Sequence, residues 1–258
     1  MSRLLQIDHL STTLSGRPIH KDISLRVYKK EIIALVGQSG CGKTSLLRVI
    51  AGLIPYQAGR VELLRIDMQH ATQPERQYVR QHMGMLFQNS ALFHDLTVLE
   101  NIQFPLQEYF KLDHTTAEKI ARLKLHSAGL AQTVGDLYPA ALSFGMKKRA
   151  AIARAIATDP ALLLLDEPTA GLDPASANSL DELVLSLRDQ LDLTVMVVTH
   201  DLDSLWTVPD RVLYLGEGKL LADGPMHQLS EVEVPEIQAY CAGQRMRKFM
   251  DQPTRRPQ

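Results

Sequence analysis

Ile32-Ile33-Ala34-Leu35-Val36 is an unbroken apolar run, the pattern of a strand buried on both faces of a parallel sheet. It breaks at Gly37, and from Ser45 to Ala51 apolar residues return at helical spacing. Leu162 to Leu165 and Val195 to Val198 repeat the buried-strand pattern, and Arg211 to Leu215 and Lys219 to Asp223 add two strands more. Nearer the N-terminus, Leu4 to Ile7 and Ile23 to Val27 alternate in polarity, predicting strands on either side of the turn Ser15-Gly16-Arg17-Pro18. Arg60 to Leu64 and Met83 to Phe87 are read as short strands. From Asn89 the character changes. Thr97 to Tyr109, Thr115 to Ala128 and Ser143 to Thr158 carry apolar residues three and four apart with no strand between them, and Asp159-Pro160 closes the block. Pro174 to Leu191 is an amphipathic helix with proline at its start. A last helix is expected from Pro235 to Met250, before the polar tail Asp251 to Gln258. The pattern is an α/β core interrupted by a helical insert.

At 258 residues the chain can bury a full core. Its formal net charge of −1 gives no global basic field for nucleic acid or anionic lipid. The two cysteines, Cys41 and Cys241, have no metal-ligand spacing and point to a reducing compartment rather than a disulfide framework. No long apolar region follows Arg3, so no signal peptide is expected. No apolar run approaches the ~20 residues that span a bilayer, so any membrane role is expected to come through a partner.

The break after Val36 reads Gly37-Gln38-Ser39-Gly40-Cys41-Gly42-Lys43-Thr44, which fits the phosphate-binding pattern G-x-x-x-x-G-K-[ST]. Glycines let the backbone curl until several N–H groups converge on an anion, and the helix that follows from Ser45 adds its positive end. Lys43 would reach the β- and γ-phosphates, and the Thr44 hydroxyl would ligate Mg²⁺. Leu162 to Leu165 ends in Asp166-Glu167, two carboxylates at the end of a sheet where α/β proteins bind ligands. Asp166 would hold Mg²⁺, directly or through water, and Glu167 would act as general base on the attacking water. Leu142-Ser143-Phe144-Gly145-Met146 opens a helix, with Ser143 suited to its N-cap. Val198-Thr199-His200 ends a strand with an imidazole able to sense a γ-phosphate. Gln88 follows the strand at Met83. Singly, these last three are common features with ordinary structural explanations.

Their order is what carries information. The P-loop at Gly37 to Thr44, then Gln88, Leu142 to Met146, Asp166-Glu167, Ala170-Gly171-Leu172-Asp173 and His200 resemble an ATP-binding cassette (ABC) ATPase over nearly the whole chain to about residue 230. The resemblance implies a P-loop NTPase (RecA-like) core, 1–88 and 161–230, with an antiparallel β subdomain and an inserted α-helical subdomain, 89–160. Together these would form one domain, 1–230, followed by an extension, 231–258. It implies ATP and Mg²⁺ as ligands and a head-to-tail dimer with a second copy of the chain. In that dimer Ser143 and Gly145 would contact the γ-phosphate held by the opposite P-loop, and Asp173 would belong to the D-loop across the interface. Gln88 would touch Mg²⁺ and the water, and His200 would be the switch histidine. Two departures stand out. Phe144 and Met146 replace a Gly and a Gln of the usual signature, although helical φ at Phe144 needs no glycine. Leu14 stands where an aromatic usually stacks on adenine, so selectivity for the base is expected to be weak.

Phe87 to Ile102 with Phe104-Pro105-Leu106, and Met146 in the signature, are also similar to the ATPase subunits of bacterial Mla phospholipid-transport systems. This narrower resemblance implies permease subunits whose coupling helix would dock near Ala91-Leu92-Phe93. It also implies a periplasmic lipid-binding ring subunit, a small cytoplasmic regulatory subunit and a place at the cytoplasmic face of a bacterial inner membrane. The extension, with Tyr240 and Met246 on its helix, is a candidate for docking on a neighbouring subunit. Two other readings stand beside this one: a soluble cassette protein of translation or DNA repair, and a regulator that binds nucleotide without hydrolysis. The first usually has two cassettes or a long coiled-coil insert, which this chain lacks, and the presence of both Glu167 and His200 argues against the second.

Overall fold

The computed structural model describes residues 2–229 and 231–241. Two long strands open the chain, β1 (Arg3–Leu14) and β2 (Arg17–Tyr28). They form one antiparallel hairpin turned at Ser15 (φ 49°) and Gly16 (φ 77°). Both run well beyond the alternating stretches Leu4 to Ile7 and Ile23 to Val27. The extra length includes polar positions such as Thr12 and His20, which are buried all the same. β3 (Ile32–Val36) then leads through the glycine loop into α1 (Lys43–Ile50).

β4 (Ala58–Leu63) and the two-residue β5 (Ile66–Asp67) follow, joined through Leu64 and Arg65, both at positive φ. α2 (Gln73–Gln81) was not expected from apolar spacing, because Val79 is its one buried residue. Its start was nonetheless written in Thr72-Gln73-Pro74-Glu75, a capping box with proline in the first turn. β6 (Met83–Leu86) ends one residue before the expected Phe87. Helices alone follow: α3 (Val98–Phe110), α4 (His114–Ser127) and α5 (Phe144–Ala155). Pro105 sits inside α3 without ending it. The chain returns to the sheet with β7 (Leu162–Asp166), crosses on α6 (Pro174–Leu191) and comes back as β8 (Thr194–Val198). A short α7 (Leu202–Thr207), β9 (Arg211–Gly216), β10 (Lys219–Gly224), α8 (Met226–Leu229) and α9 (Pro235–Cys241) complete the described residues.

The strands form two sheets. One is antiparallel, in the order β2-β1-β4-β5; the other runs β10-β9-β3-β8-β7-β6, with β10 antiparallel to β9 and the remaining pairs parallel. Side-chain alternation along the central strands sorts residues between two cores. Ile32, Ala34, Leu163, Leu165, Val195 and Val197 face the core shared with α3, α5 and α6. Ile33, Leu35, Leu162, Leu164, Met196 and Val198 face the core shared with β1, β2, β4 and α1. A strand apolar at every position is therefore what a sheet covered on both faces requires.

The start of α9 packs on the core. Ile237 is fully buried, and the Tyr240 ring meets Tyr214 of β9 edge-on with centroids 5.4 Å apart. Tyr240 is thus partly buried against its own core. Residues 242–258, and with them Met246 and the expected helix up to Met250, lie outside the described residues.

Candidate active site

β3, β6, β7 and β8 run parallel, so the segments that leave their C-terminal ends meet at one edge of the sheet. There Ser39, Gly40, Gly42, Lys43, Thr44, Ser45, Gln88 and Glu167 line one open cleft of about 260 Å³. The loop needs its glycines for two separate reasons. A Cβ on Gly37 would lie 2.0 Å from the Leu215 carbonyl oxygen, and Gly42 holds φ 109° just before α1. The Lys43 ammonium curls back to donate to the carbonyls of Gly37 (2.9 Å) and Gln38 (2.8 Å). A cation is thus held inside the loop, ahead of the N-terminus of α1, both of which favour an anion there. The Cys41 thiol lies 3.9 Å from Lys43 Nζ, yet burial pushes its pKa up, so it is no thiolate rival for that cation.

Across the cleft, Thr44 Oγ1 donates to Asp166 Oδ1 at 2.8 Å. The other carboxylate oxygen, Oδ2, is buried with no hydrogen-bond partner. An orphaned anionic oxygen beside a hydroxyl is costly unless a cation completes it. These two side chains therefore fit a hard, oxygen-seeking ion such as Mg²⁺. Among the described residues no group of three or more His, Cys, Asp or Glu side chains is placed to hold a metal ion.

Glu167 adopts φ 51°, a conformation that costs a non-glycine residue about 1–3 kcal/mol and survives only where its surroundings enforce it. Its N–H donates to the Val198 carbonyl at 2.9 Å. Its carboxylate accepts from His200 Nδ1, 2.9 Å to Oε1 and 2.8 Å to Oε2. Since a carboxylate can only accept, Nδ1 carries the proton. His200 and Glu167 thus form a joined pair, a link that a lone histidine at a strand end did not disclose.

Ser143, Gly145 and Asp173 do not line this cleft. Ser143 caps α5 by accepting from the Met146 N–H at 3.3 Å, and Phe144 enters the helix directly, as a non-glycine residue can. Asp173 caps α6, accepting from the Ser176 N–H at 3.0 Å and its hydroxyl at 2.6 Å. These bonds hold its carboxyl below the usual aspartate range. The two turns touch: a Cβ on Gly171 would lie 3.6 Å from the Phe144 ring, and one on Gly145 3.9 Å from Leu172. Phe144 is 63% exposed. The chain thus carries a second cluster of candidate residues on its surface, apart from the P-loop.

Several participants escaped sequence reasoning. Ile19 and Val198 line the cleft, whereas Leu14, at the end of β1, does not. His20, buried under the P-loop, lies 3.0 Å from the Gly42 carbonyl through Nε2 and 2.6 Å from Thr12 Oγ1 through Nδ1. A carbonyl only accepts, so Nε2 carries the proton and the neutral ring accepts from Thr12. Burial lowers its pKa. Lys148 is 1% exposed, and its signal was a lysine on the stripe Lys148, Ala151, Ile152 and Ala155 that α5 buries.

A groove of about 340 Å³ opens where β6 meets the helices, lined among others by Met85, Ala91, Phe93, Phe104, Tyr109 and Arg154. The Phe93 and Phe104 rings meet at a tilt of 54°, centroids 4.9 Å apart, each residue 44% exposed. Of the three residues expected here, Leu92 instead turns into the core, because adjacent side chains in this turn leave in different directions.

Residues 20–170 match the family model of the ABC transporter. The chain belongs to the ABC transporter family. This ABC ATPase is 35% identical to the intermembrane phospholipid transport system ATP-binding protein MlaF of Haemophilus influenzae, over 93% of this chain and 91% of that protein. It is 32% identical to the probable ribonucleotide transport ATP-binding protein mkl of Mycobacterium tuberculosis, over 94% of this chain and 67% of that one. A solved ATP-binding cassette, dimeric and in a post-hydrolysis state with ADP and Pi, superposes with a TM-score of 0.79 at 27% identity. That match covers 86% of this chain and 99% of the cassette. The ABC ATPase is therefore a P-loop NTPase that binds and hydrolyses ATP to energise transport. Among its described residues no helix is long and apolar enough to cross a membrane.

Proposed function

We propose that this ABC ATPase energises phospholipid movement between the inner and outer membranes of a bacterium, helping to maintain outer-membrane lipid asymmetry. The reading of the site rests on one observation above the others: Thr44 is hydrogen-bonded to Asp166, whose Oδ2 is unpartnered, and the next residue, Glu167, is paired with His200. The cargo is suggested by the similarity to MlaF along nine-tenths of both chains.

In this reading the loop N–H groups from Gly37 to Ser45 cradle the phosphates, and Lys43 leaves the two loop carbonyls for the β- and γ-phosphate oxygens. Thr44 and Asp166, with Gln88, would hold Mg²⁺, which when bound neutralises phosphate charge. Glu167 takes the proton of the attacking water. His200 steadies that carboxylate through Nδ1–H, and with its other ring nitrogen also protonated it donates from there to a γ-phosphate oxygen. Ser143, Gly145 and Asp173, away from the cleft in their own chain, act on the nucleotide of a second copy. Closure on ATP and opening after hydrolysis then form an order-and-contact switch.

The division is a core of 1–88 and 161–230 with the helical subdomain 89–160 as one domain, then the extension 231–258. The groove bearing Phe93, Phe104 and Arg154 receives an amphipathic helix of a membrane permease, which brings the ATPase to the cytoplasmic face of the inner membrane. A periplasmic lipid-binding ring subunit and a small cytoplasmic regulatory subunit complete the assembly, and nucleic acid takes no part.

The test is Glu167→Gln. It should keep ATP binding, lose about 100- to 10,000-fold in turnover, the range of a general base, and accumulate an ATP-bound dimer by light scattering. Near-normal hydrolysis would remove Glu167 from the role. Affinity purification of the membrane complex should carry phospholipid; ribosomes or repair factors in its place would overturn the cargo.

A further inference from the structure

The mechanism above leaves the least expected group in the fold unused. Lys148 is a buried lysine, and burial lowers its pKa while the charges of Glu167 and Asp166 act to raise it. Its ammonium donates to two main-chain oxygens, the Gln88 carbonyl at 2.7 Å and the Glu167 carbonyl at 2.8 Å. Those residues leave β6 and β7, whereas Lys148 belongs to the helix whose first turn is Ser143 to Met146. One side chain therefore ties together the segments carrying the glutamine, the carboxylate and the serine of the site.

The bond to Glu167 matters because of that residue's backbone. At φ 51° it is held from one side by its N–H on Val198 and from the other by Lys148 on its carbonyl. The pattern repeats further along α5, where Arg154 donates to the carbonyls of Ser90 (3.0 Å) and Ala91 (2.8 Å). Ser90 and Ala91 also hold positive φ, 62° and 49°. Two cations on one helix thus fix the loop after Gln88 at both ends.

We propose that Lys148 is a positioning residue for hydrolysis: it sets the Glu167 carboxylate and Gln88 in a fixed relation to the helix that begins at Ser143. The inference rests on the reading of Glu167 as base. Lys148 does not line the P-loop cleft and acts through the two carbonyls it holds. A carboxylate displaced by ~1 Å loses about 100-fold in rate without any change in what binds the nucleotide.

The test compares Lys148→Met, Lys148→Arg and Glu167→Gln in the full chain. Steady-state ATP hydrolysis, titration with a fluorescent ATP analogue and thermal unfolding are measured together. Lys148→Met, which keeps the stem and removes the donors, should lower kcat about 10- to 100-fold with KM and analogue affinity unchanged. Lys148→Arg, which keeps charge and donors, should recover most of the rate. If Lys148→Met does not unfold cooperatively, Lys148→Gln takes its place, since its amide is too short to reach both carbonyls and should show the same split.

A wild-type rate in the donor-deleted variant overturns the proposal. So does a parallel loss of rate and affinity in which arginine does no better than methionine, because that is a packing role. Near-normal turnover by Glu167→Gln removes the base and this inference with it, whereas an inactive Glu167→Gln beside a fully active Lys148→Met overturns the inference alone.

Discussion

Gly42→Ala is the substitution whose outcome the coordinates define most closely. Gly42 holds φ 109°, and an added Cβ would lie 2.8 Å from His20 Nε2 and 2.9 Å from Ile19 Cγ2. Ile19 lines the open cleft and can shift, but His20 has no room to give. His20 is buried and bonded at both ring nitrogens. The backbone strain costs about 1–3 kcal/mol, and forcing a methyl into a filled space costs a similar ~1–3 kcal/mol. The loop is the softer side, since the sheet behind it is buried throughout, so it should move instead. About 2–4 kcal/mol charged to the P-loop weakens nucleotide binding roughly 30- to 1,000-fold, with a smaller change in thermal unfolding. Titration with a fluorescent ATP analogue measures this. His20→Ala removes the steric part but not the strain, so the double variant should show a coupling of about 1–2 kcal/mol. Wild-type affinity in Gly42→Ala, or strict additivity with His20→Ala, would refute the reasoning.

Two further outcomes can be stated briefly. Asp166→Asn keeps an acceptor for Thr44 but removes the charge behind the orphaned oxygen. It should make ATP binding indifferent to chelation of Mg²⁺ and cut hydrolysis by about two orders of magnitude, the several kcal/mol that a metal's charge supplies; calorimetry with and without Mg²⁺ decides. Asp181, half-buried and hydrogen-bonded by Ser204 Oγ at 2.5 Å, has its pKa pushed up from 3.8 to about 6, chiefly by burial and further by Asp201. Between those values the folded chain holds more protons than the unfolded one, so its contribution to stability falls as pH rises from 3.8 to about 6 and is flat above. Asp181→Asn should raise the unfolding midpoint at pH 7 more than at pH 4.5, and equal shifts at both would exclude this origin.

Much of the site could be read from residue order because its parts are local. An apolar run, a glycine turn and a helix start are each set within a few residues, and Ile32–Val36, Lys43–Ile50 and Pro174–Leu191 form where the pattern places them. Ser143 and Asp173 are likewise N-caps, decided by one side chain and the next turn. Apolar spacing reported which faces are buried, but not what buries them.

What distance along the chain conceals, the fold supplies. Thr44 and Asp166 are 122 residues apart, and nothing local to either says that they share a bond. His20 and Lys148 are polar groups buried and hydrogen-bonded by partners from other elements, and the apolar pattern did not single them out. The contact of Tyr240 with Tyr214 of β9 was likewise hidden from the sequence. Short-range order chose the helices, the strands and the phosphate loop, because their energetics involve neighbours in the chain. Which carboxylate meets which hydroxyl, and which cation steadies which loop, depends on crossings of a parallel sheet, and only the assembled sheet decides them.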